Sequence, residues 1–407
     1  MKTYLVGGAV RDKLLGIKAK EHDWVVVGSS PAEMLKLGFM QVGKDFPVFL
    51  HPESKEEYAL ARTERKTAPG YAGFSFHASP DVTLEEDLLR RDLTINAIAM
   101  DDDGSLIDPF NGRQDIEDGM LRHVSPAFAE DPVRILRIAR FAARFAGFGF
   151  KVSHGTNKLM RNMVKNGEVD ALVAERVWKE FNTALTTDSP QIFFKVLRGC
   201  GALQKLFPEI DALYGVPQPE HHHPEVDTGV HVMLVLEQSA KLSDNPLVRF
   251  AALTHDLGKG TTPEEKWPRH IGHEQRGIKL VEKLCDRLRV PNEFRALAKF
   301  TAEYHTHCHR ADELKAATML KVINACDAFR KPEQFENYLL ACTADIRGRP
   351  GYENDEYPQA ELFRRAYAIA NAIDAKEIIA EGFEGAAIRD ALNAKRIEAI
   401  QKELNKS

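Results

Sequence analysis

The chain has 407 residues, 43% hydrophobic and 28% charged, with Lys+Arg 55 against Asp+Glu 60 for a net charge of −5. At about 100–200 residues per domain, that is two to four domains of ordinary soluble globular protein, which excludes disorder, collagen and a small disulfide scaffold. A generic nucleic-acid binder would more often be basic, so any polyanion site must be a local patch.

Five scattered cysteines (Cys200, Cys285, Cys308, Cys326, Cys342) show no C-x-x-C spacing, which argues against structural zinc and fits a reducing compartment. No stretch approaches the ~18 consecutive apolar residues of a membrane span, and the apolar residues before Gly7-Gly8 are too few for a signal-peptide core. The expectation is a cytoplasmic protein without a membrane partner.

The first 110 residues read as mixed α/β. Residues 4–6, 24–27, 48–50 and 58–61 are short apolar runs bounded by glycines and charges, and are predicted strands. Residues 10–15 and 88–100 are predicted helices. Residues 64–81, with Pro69-Gly70, Gly73 and Pro80, are predicted as a long loop. After Asp131-Pro132, Ile135, Ile138, Phe141, Ala142 and Phe145 recur at helical spacing, and strand signals nearly vanish to the C-terminus. Breaks at Pro217-Gln218-Pro219 and Lys331-Pro332 mark candidate domain edges. The division expected is a head at 1–140, a helical neck at 141–227, a third domain at 228–330 and a helical tail at 331–407.

The residues that carry chemistry fall in two groups. In the first, Gly7-Gly8 follows a strand and opens a helix, where backbone N–H groups can approach a phosphate and Arg11 adds charge-assisted bonds. Glu21 and Asp23, two apart, share one face at a strand's start. Two such carboxylates repel unless a cation sits between them, and Mg²⁺ prefers carboxylate oxygens plus substrate phosphates. Arg90-Arg91 lies near the start of the predicted helix at 88–100 and suits a triphosphate or ribose. Between Arg134 and Arg161 lie seven basic and no acidic residues in 28 positions. Arg134, Arg137, Arg140 and Arg144 fall within a ~120° arc of one helix, while Ile135, Ile138, Ala142 and Phe145 lie on another face. Asp131 and Pro132 would start such a helix well, yet an all-arginine face suits anion binding.

In the second group, His255-Asp256 ends an apolar helix, with His231 one helix earlier and Asp327 at the end of a later one. Histidine with carboxylate suits a transition metal better than Mg²⁺. His270, His273 and His305 are further candidate ligands. His221–His223 lies in a Pro-rich loop and is read as plain surface.

Together these segments resemble the bacterial and eukaryotic (class II) tRNA nucleotidyltransferases, the CCA-adding enzymes, over nearly the whole chain. The resemblance implies an α/β head with a polymerase-β-like mixed sheet, followed by an all-α neck, HD domain and tail. It implies that Gly8 and Arg11 bind the incoming nucleotide's phosphates and that Glu21 and Asp23 hold two Mg²⁺. It further implies that Arg91 contacts ribose or phosphate and that Arg137 and Arg140 bind triphosphate or base. Glu57 is a candidate third carboxylate. Asp131 can accept from the exocyclic amino group shared by C and A, while Arg134 donates to the adjacent ring nitrogen; U and G present the reverse pattern. The 64–81 loop is the expected mobile element for the switch from C to A.

The order His231…His255-Asp256…Asp327 resembles the HD phosphohydrolases. One bacterial group of CCA-adding enzymes, the multifunctional type, carries such a domain, associated with 2′,3′-cyclic phosphodiesterase, 2′-nucleotidase and phosphatase activities. There Ni²⁺ or another transition metal is expected. Expected partners are tRNA, CTP and ATP, with the protein a monomer or homodimer. The rivals are a bacterial poly(A) polymerase and an HD phosphohydrolase with a nucleotide-sensing head.

Overall fold

A computed structural model describes residues 1–19, 21–42, 48–66, 74–221 and 223–405. The chain folds into two compact units. The first is Met1–Glu180 with Ile192–Lys205, and the second is Phe181–Gln191 with Leu206–Ser407.

The first unit opens with β1 (Lys2–Val6), α1 (Gly8–Leu14), β2 (Asp23–Val27), α2 (Pro31–Lys36), β3 (Met40–Val42), β4 (Val48–Leu50) and β5 (Glu57–Leu60). Next come β6 (Thr63–Lys66), β7 (Phe74–His77), α3 (Leu84–Leu89), β8 (Ala99–Met100), β9 (Leu106–Ile107) and α4 (Gly112–Glu117). The mixed sheet runs β3-β4-β5-β2-β1-β8-β9, with β2 antiparallel to β1 and parallel to β5. Tyr4, Val6 and Val25 bury against α3 through Leu84 and Leu88, while Val26 and Leu60 pack with Met34 and Phe49. The register sets Val6 opposite Asp23, and Asp23 beside Glu57. A carboxylate is thereby brought next to the turn at Gly7-Gly8. Gly7 is left-handed (φ +67), and a Cβ there would come within 2.7 Å of an Arg91 nitrogen, so a glycine is required.

Two predictions fail here for local reasons. The helix expected over 88–100 ends at Leu89; a short 3₁₀ turn, Thr94–Asn96, and β8 follow. The Asp92 carboxylate accepts from the Leu93 N–H and the Asn96 amide, a side-chain alternative that competes with helix. The loop expected over 64–81 includes the antiparallel pair β6–β7; residues 67–73 lie outside the described residues.

Helix α5 (Val133–Arg144) follows, burying Ile135, Leu136, Ile138, Phe141 and Ala142. The Asp131 carboxylate caps it by accepting from the Val133 N–H. Helices α6 (His154–Lys165), α7 (Ala174–Leu185) and α8 (Gln191–Cys200) continue the chain, which passes from one unit to the other within α7.

The second unit is helical. Its main helices are α9 (Thr228–Leu242), α10 (Pro246–Thr254), α11 (His273–Leu288), α12 (Asn292–His309), α13 (Ala316–Ala325), α14 (Pro332–Arg347) and α15 (Pro358–Asn371). Val235, Val248, Leu297, Phe300, Tyr338 and Phe363 belong to one continuous core. Helix α14 packs against α9, α10 and α12. Gly258, just past α10, lies so close to the start of α11 that a Cβ would sit 1.9 Å from the His273 carbonyl oxygen.

Two candidate sites: an arginine-lined cavity and a buried histidine–carboxylate cluster

The first unit holds a cavity of about 540 Å³. Gly7, Gly8, Asp23, Asp92 and Asp131 line it together with nine arginines, Arg11, Arg91, Arg134, Arg137, Arg140 and Arg144 among them. Each of these six is fixed by a partner on the protein. Arg11 is almost wholly buried, donates to Asn96 and Asp12, and lies over the rings of Phe141 and Phe145. Burial lowers its pKa against the pull of Asp12.

Arg144 donates to the other oxygen of Asp12 (2.8 Å), Arg137 donates through Nε to Asp92 (2.7 Å), and Arg140 donates through Nε to Glu180. Burial opposes the Asp92 charge, but Arg137, Asn96 and Arg134 hold its carboxyl well below the usual range. Arg91 contacts the Asn96 carbonyl and Asp87. The arginine face therefore has acidic partners after all. They come from α1, from the turn after α3 and from α7, which no local window of sequence could reveal.

His22 and Trp24 both bond to Glu56, at 2.8 and 3.1 Å. Strand alternation then turns Glu21, Asp23 and Glu57 to the opposite face. Burial and the charge of Glu21 raise the Asp23 pKa against the field of Arg91. That unneutralised pair is a donor set a hard divalent ion fits. Glu21, Asp23 and Glu57 do not themselves close on one point. Among the described residues, every group of three or more ligand atoms lying within 4.8 Å of one another is in the second unit.

Asp131 is gripped by Arg176, at 3.2 and 2.8 Å, and Arg134 donates to the carbonyls of Arg90 (2.6 Å) and Ala127 (3.3 Å). Both members of the expected base-reading pair line the cavity, but each is held by another group. Sequence reasoning missed Arg176 entirely.

In the second unit, His231 on α9, His255-Asp256 at the end of α10, His273 opening α11, His305 on α12 and Asp345 on α14 converge. Nδ1 of His255 faces the Ala252 carbonyl (2.7 Å), that of His273 the His270 carbonyl (3.0 Å), and that of His305 the Thr301 carbonyl (3.1 Å). A carbonyl only accepts, so in each ring Nδ1 carries the proton and Nε2 is a lone pair.

Those lone pairs point at one another and at carboxylates. His273 Nε2 is 3.2 Å from His305 Nε2 and 3.3 Å from Asp256 Oδ1, which is 3.5 Å from His305 Nε2. His255 Nε2 is 3.2 Å from Asp256 Oδ2 and 3.4 Å from Asp345 Oδ2. His255 Nε2 and Asp256 Oδ1 are buried without a hydrogen-bond partner. Ligands at about 2.0–2.1 Å around a tetrahedral ion would stand about 3.3 Å apart, so these edges fit a cation. Two adjoining groups, His231/His255/Asp345 and Asp256/His273/His305, could each hold one.

Without a cation, a proton competes for the same place. Burial opposes a charge on His255, yet Asp256 and Asp345 raise its pKa to about 9. Burial lowers that of His305 to about 4. Burial also works against both carboxylates, but Lys259 and His255 hold Asp256, and His255 and His309 hold Asp345, well below the usual range.

Known families match this chain in three segments. Residues 3–122 match the Poly A polymerase head domain, 149–214 the probable RNA- and SrmB-binding site of polymerase A, and 228–330 the HD domain. A multifunctional CCA protein of Thioalkalivibrio sulfidiphilus is 64% identical over 402 residues, covering 99% of this chain and 98% of the relative. The chain belongs to the multifunctional CCA protein family. Another member, from Teredinibacter turnerae, is 62% identical over 98% of both chains. Among solved structures, a Thermotoga maritima CCA-adding enzyme complexed with tRNA aligns over 100% of this chain and 91% of its own, at TM-score 0.64 and 20% identity. A CCA-adding enzyme in complex with CTP aligns over 100% and 90%, at TM-score 0.66 and 21% identity. These two likenesses establish the fold: a mixed-sheet head followed by helical neck, HD domain and tail.

Within this family fold, three expectations about the histidine cluster change. Asp327 does not join it; its side chain is 39% exposed and pairs with Arg330 at 2.9 Å. Asp345 takes the place expected of it, because α14 packs on α9 and α10 where His231 and His255 lie. His270 is not free to ligate, since its two nitrogens face the Thr262 hydroxyl (3.0 Å) and the Pro217 carbonyl (2.9 Å). His223 is not plain surface: it is buried, 3.0 Å from Glu225, with its ring against His231. His221 is exposed, and His222 lies outside the described residues.

Proposed function

We propose that this chain adds and repairs the 3′-terminal CCA of tRNA from CTP and ATP, in the cytoplasm, without a nucleic-acid template. The observation that carries the reading is the arginine-lined cavity with Asp23 at its wall and Asp131 and Arg134 inside it; the names of full-length relatives support it. Arg137 and Arg140, each anchored through Nε, hold their guanidinium planes fixed for a triphosphate. Gly7 and Gly8 let backbone approach the same phosphates, beside Arg11 and Arg91. Glu21 and Asp23 would hold Mg²⁺, which when bound supplies the charge that activates the tRNA 3′-hydroxyl and steadies the departing pyrophosphate.

Asp131 and Arg134 select C and A. A carboxylate has about four lone-pair sites; Arg176 takes two and the Val133 N–H a third, so Asp131 keeps one for an amino group. The test is incubation with a tRNA lacking CCA, supplying CTP and ATP together and singly. Addition stopping after two C and one A supports the reading; an A-tail of many residues supports poly(A) polymerase instead.

The histidine cluster supports a second activity in the same chain, a metal-dependent phosphohydrolase acting as 2′,3′-cyclic phosphodiesterase, 2′-nucleotidase and phosphatase. His231, His255, Asp256, His273, His305 and Asp345 would hold Ni²⁺ or another transition metal, which supplies a nucleophilic hydroxide at neutral pH. The functional HD domain then extends past residue 330 to include α14. Hydrolysis of a 2′,3′-cyclic nucleotide should respond more to Ni²⁺, Co²⁺ or Mn²⁺ than to Mg²⁺.

A further inference from the structure

Three of the four clustered imidazoles have Nδ1 held by a carbonyl three or four residues earlier in their own chain segment. His231 is the exception. Its Nε2 stands 3.0 Å from Asp345 Oδ1, on the cluster side. Its Nδ1, which has no partner at full hydrogen-bond geometry, stands 2.7 Å from Oε1 of Glu225, which belongs to the loop before α9. The Glu225 side chain is 2% exposed and that of His231 is fully buried.

That loop is itself fixed. Its ends pair at Pro217 and Asp227, and the Gln218 N–H donates to the Val226 carbonyl at 2.7 Å. The Gln218 amide oxygen accepts from Lys259, whose ammonium is 2.6 Å from Asp256 Oδ2. The loop thus reaches the cluster at two points, His231 and Asp256.

His223, Glu225 and His231 also lie close enough together to be taken for a metal site of their own. The spacing decides against it. Glu225 Oε1 is 3.0 Å from His223 Nδ1 and 2.7 Å from His231 Nδ1. The 2.7 Å contact is shorter than the ~3.3 Å between ligands of a tetrahedral ion, and shorter than the 3.0 Å from His231 Nε2 to Asp345 Oδ1 in the cluster. The edges around Asp256, by contrast, run from 3.2 to 3.5 Å.

We propose that Glu225 is a positioning residue of the HD centre: its carboxylate accepts the Nδ1 proton of His231 and fixes the tautomer and ring plane that present Nε2 to the cation. The pattern is the carboxylate–histidine–metal relay, in which removing the outer carboxylate costs about 10–100-fold in metal affinity. The inference rests on the reading of the histidine cluster as a metal centre.

The test is Co²⁺ binding to the full-length metal-free protein carrying Asp23→Asn, which removes the head as a competing site. Affinity and stoichiometry come from calorimetry, and ligand geometry from the visible spectrum. Glu225→Ala should weaken binding about 10–100-fold with stoichiometry unchanged, and Glu225→Gln, which keeps an acceptor oxygen, should weaken it less. A metal-free thermal melt matching the parent confirms that the variants fold. Unchanged affinity in both variants overturns the proposal. A loss of one bound equivalent in Glu225→Ala also overturns it, since Glu225 would then be a ligand. Binding that survives His255→Ala at full strength overturns instead the metal-centre reading on which the proposal stands.

Discussion

The two sites solve opposite electrostatic problems. In the head, positive charge accumulates around an open cavity, and it is tolerated because Asp12, Asp87, Asp92 and Glu180 neutralise the arginines from behind. In the histidine cluster, lone pairs accumulate in a closed core, and the carbonyls behind them orient the rings without neutralising anything. The first arrangement waits for an anion with its cations preset; the second is incomplete without a cation. An arginine cavity keeps its shape when empty, whereas a cluster of acceptors does so only if a proton takes the ion's place. Asp256 and Asp345 favour that proton on His255.

The sharpest way to break this contrast is to remove one carboxylate from each side. Asp23→Asn keeps shape but loses the charge that would hold Mg²⁺, and nucleotide addition should fall below a few per cent of the parent while cyclic-nucleotide hydrolysis persists. Incorporation of radiolabelled CTP measures it; substantial residual incorporation would remove Asp23 from the metal site. Asp256→Ala should do the converse, abolishing hydrolysis and sparing CCA addition. Both activities are to be read on one preparation beside a thermal melt. Loss of both activities in a folded protein would show that the sites are not independent.

A smaller effect is expected within the head. Asp131→Ala with Arg134→Ala should lower discrimination of CTP over UTP by roughly one to two decades, the scale of about 1–3 kcal/mol for a buried polar edge left unmatched. Equal relative rates before and after would leave Asp131 as a helix cap alone.

The smallest effect concerns stability. The Asp92 carboxyl is held below its ordinary value of 3.8, so its contribution is present above about pH 4 and is lost as pH falls below that. Asp92→Asn should cost about 1–3 kcal/mol at neutral pH, less than a fully buried pair because Arg137 is a third exposed. The variant's melting temperature should also fall less steeply with acid than the parent's. Parallel acid limbs would show that other carboxylates carry that dependence.

Much of this was legible in the sequence because it is local. The strands at 4–6, 24–27, 48–50 and 58–61 announce themselves by short apolar runs, and each occurs. Gly7-Gly8, Arg11, Asp23, Asp131 and the arginines of α5 all stand out in the sequence, and the fold brings them to one cavity. What was not legible is whatever depends on two distant segments meeting. Arg176 meets Asp131 across 45 residues, and Asp345 meets His231 across 114. A carboxylate in the last turn of a long helix, such as Asp345, gives no signal at all. Asp327 at a helix end looks like a ligand because exposed helix termini and metal ligands share the same composition. Glu225 and His223 escape notice because proline and polar neighbours read as surface.

The position of Asp345 bears on modularity. The HD-domain match ends at residue 330, yet a carboxylate of the cluster lies fifteen residues beyond it. A fragment trimmed at that boundary would keep the histidines and lose the carboxylate facing His231 and His255. The histidine–carboxylate cluster is thus not a cassette that can be cut out or grafted by its sequence borders, and any transplant of it has to carry α14 along.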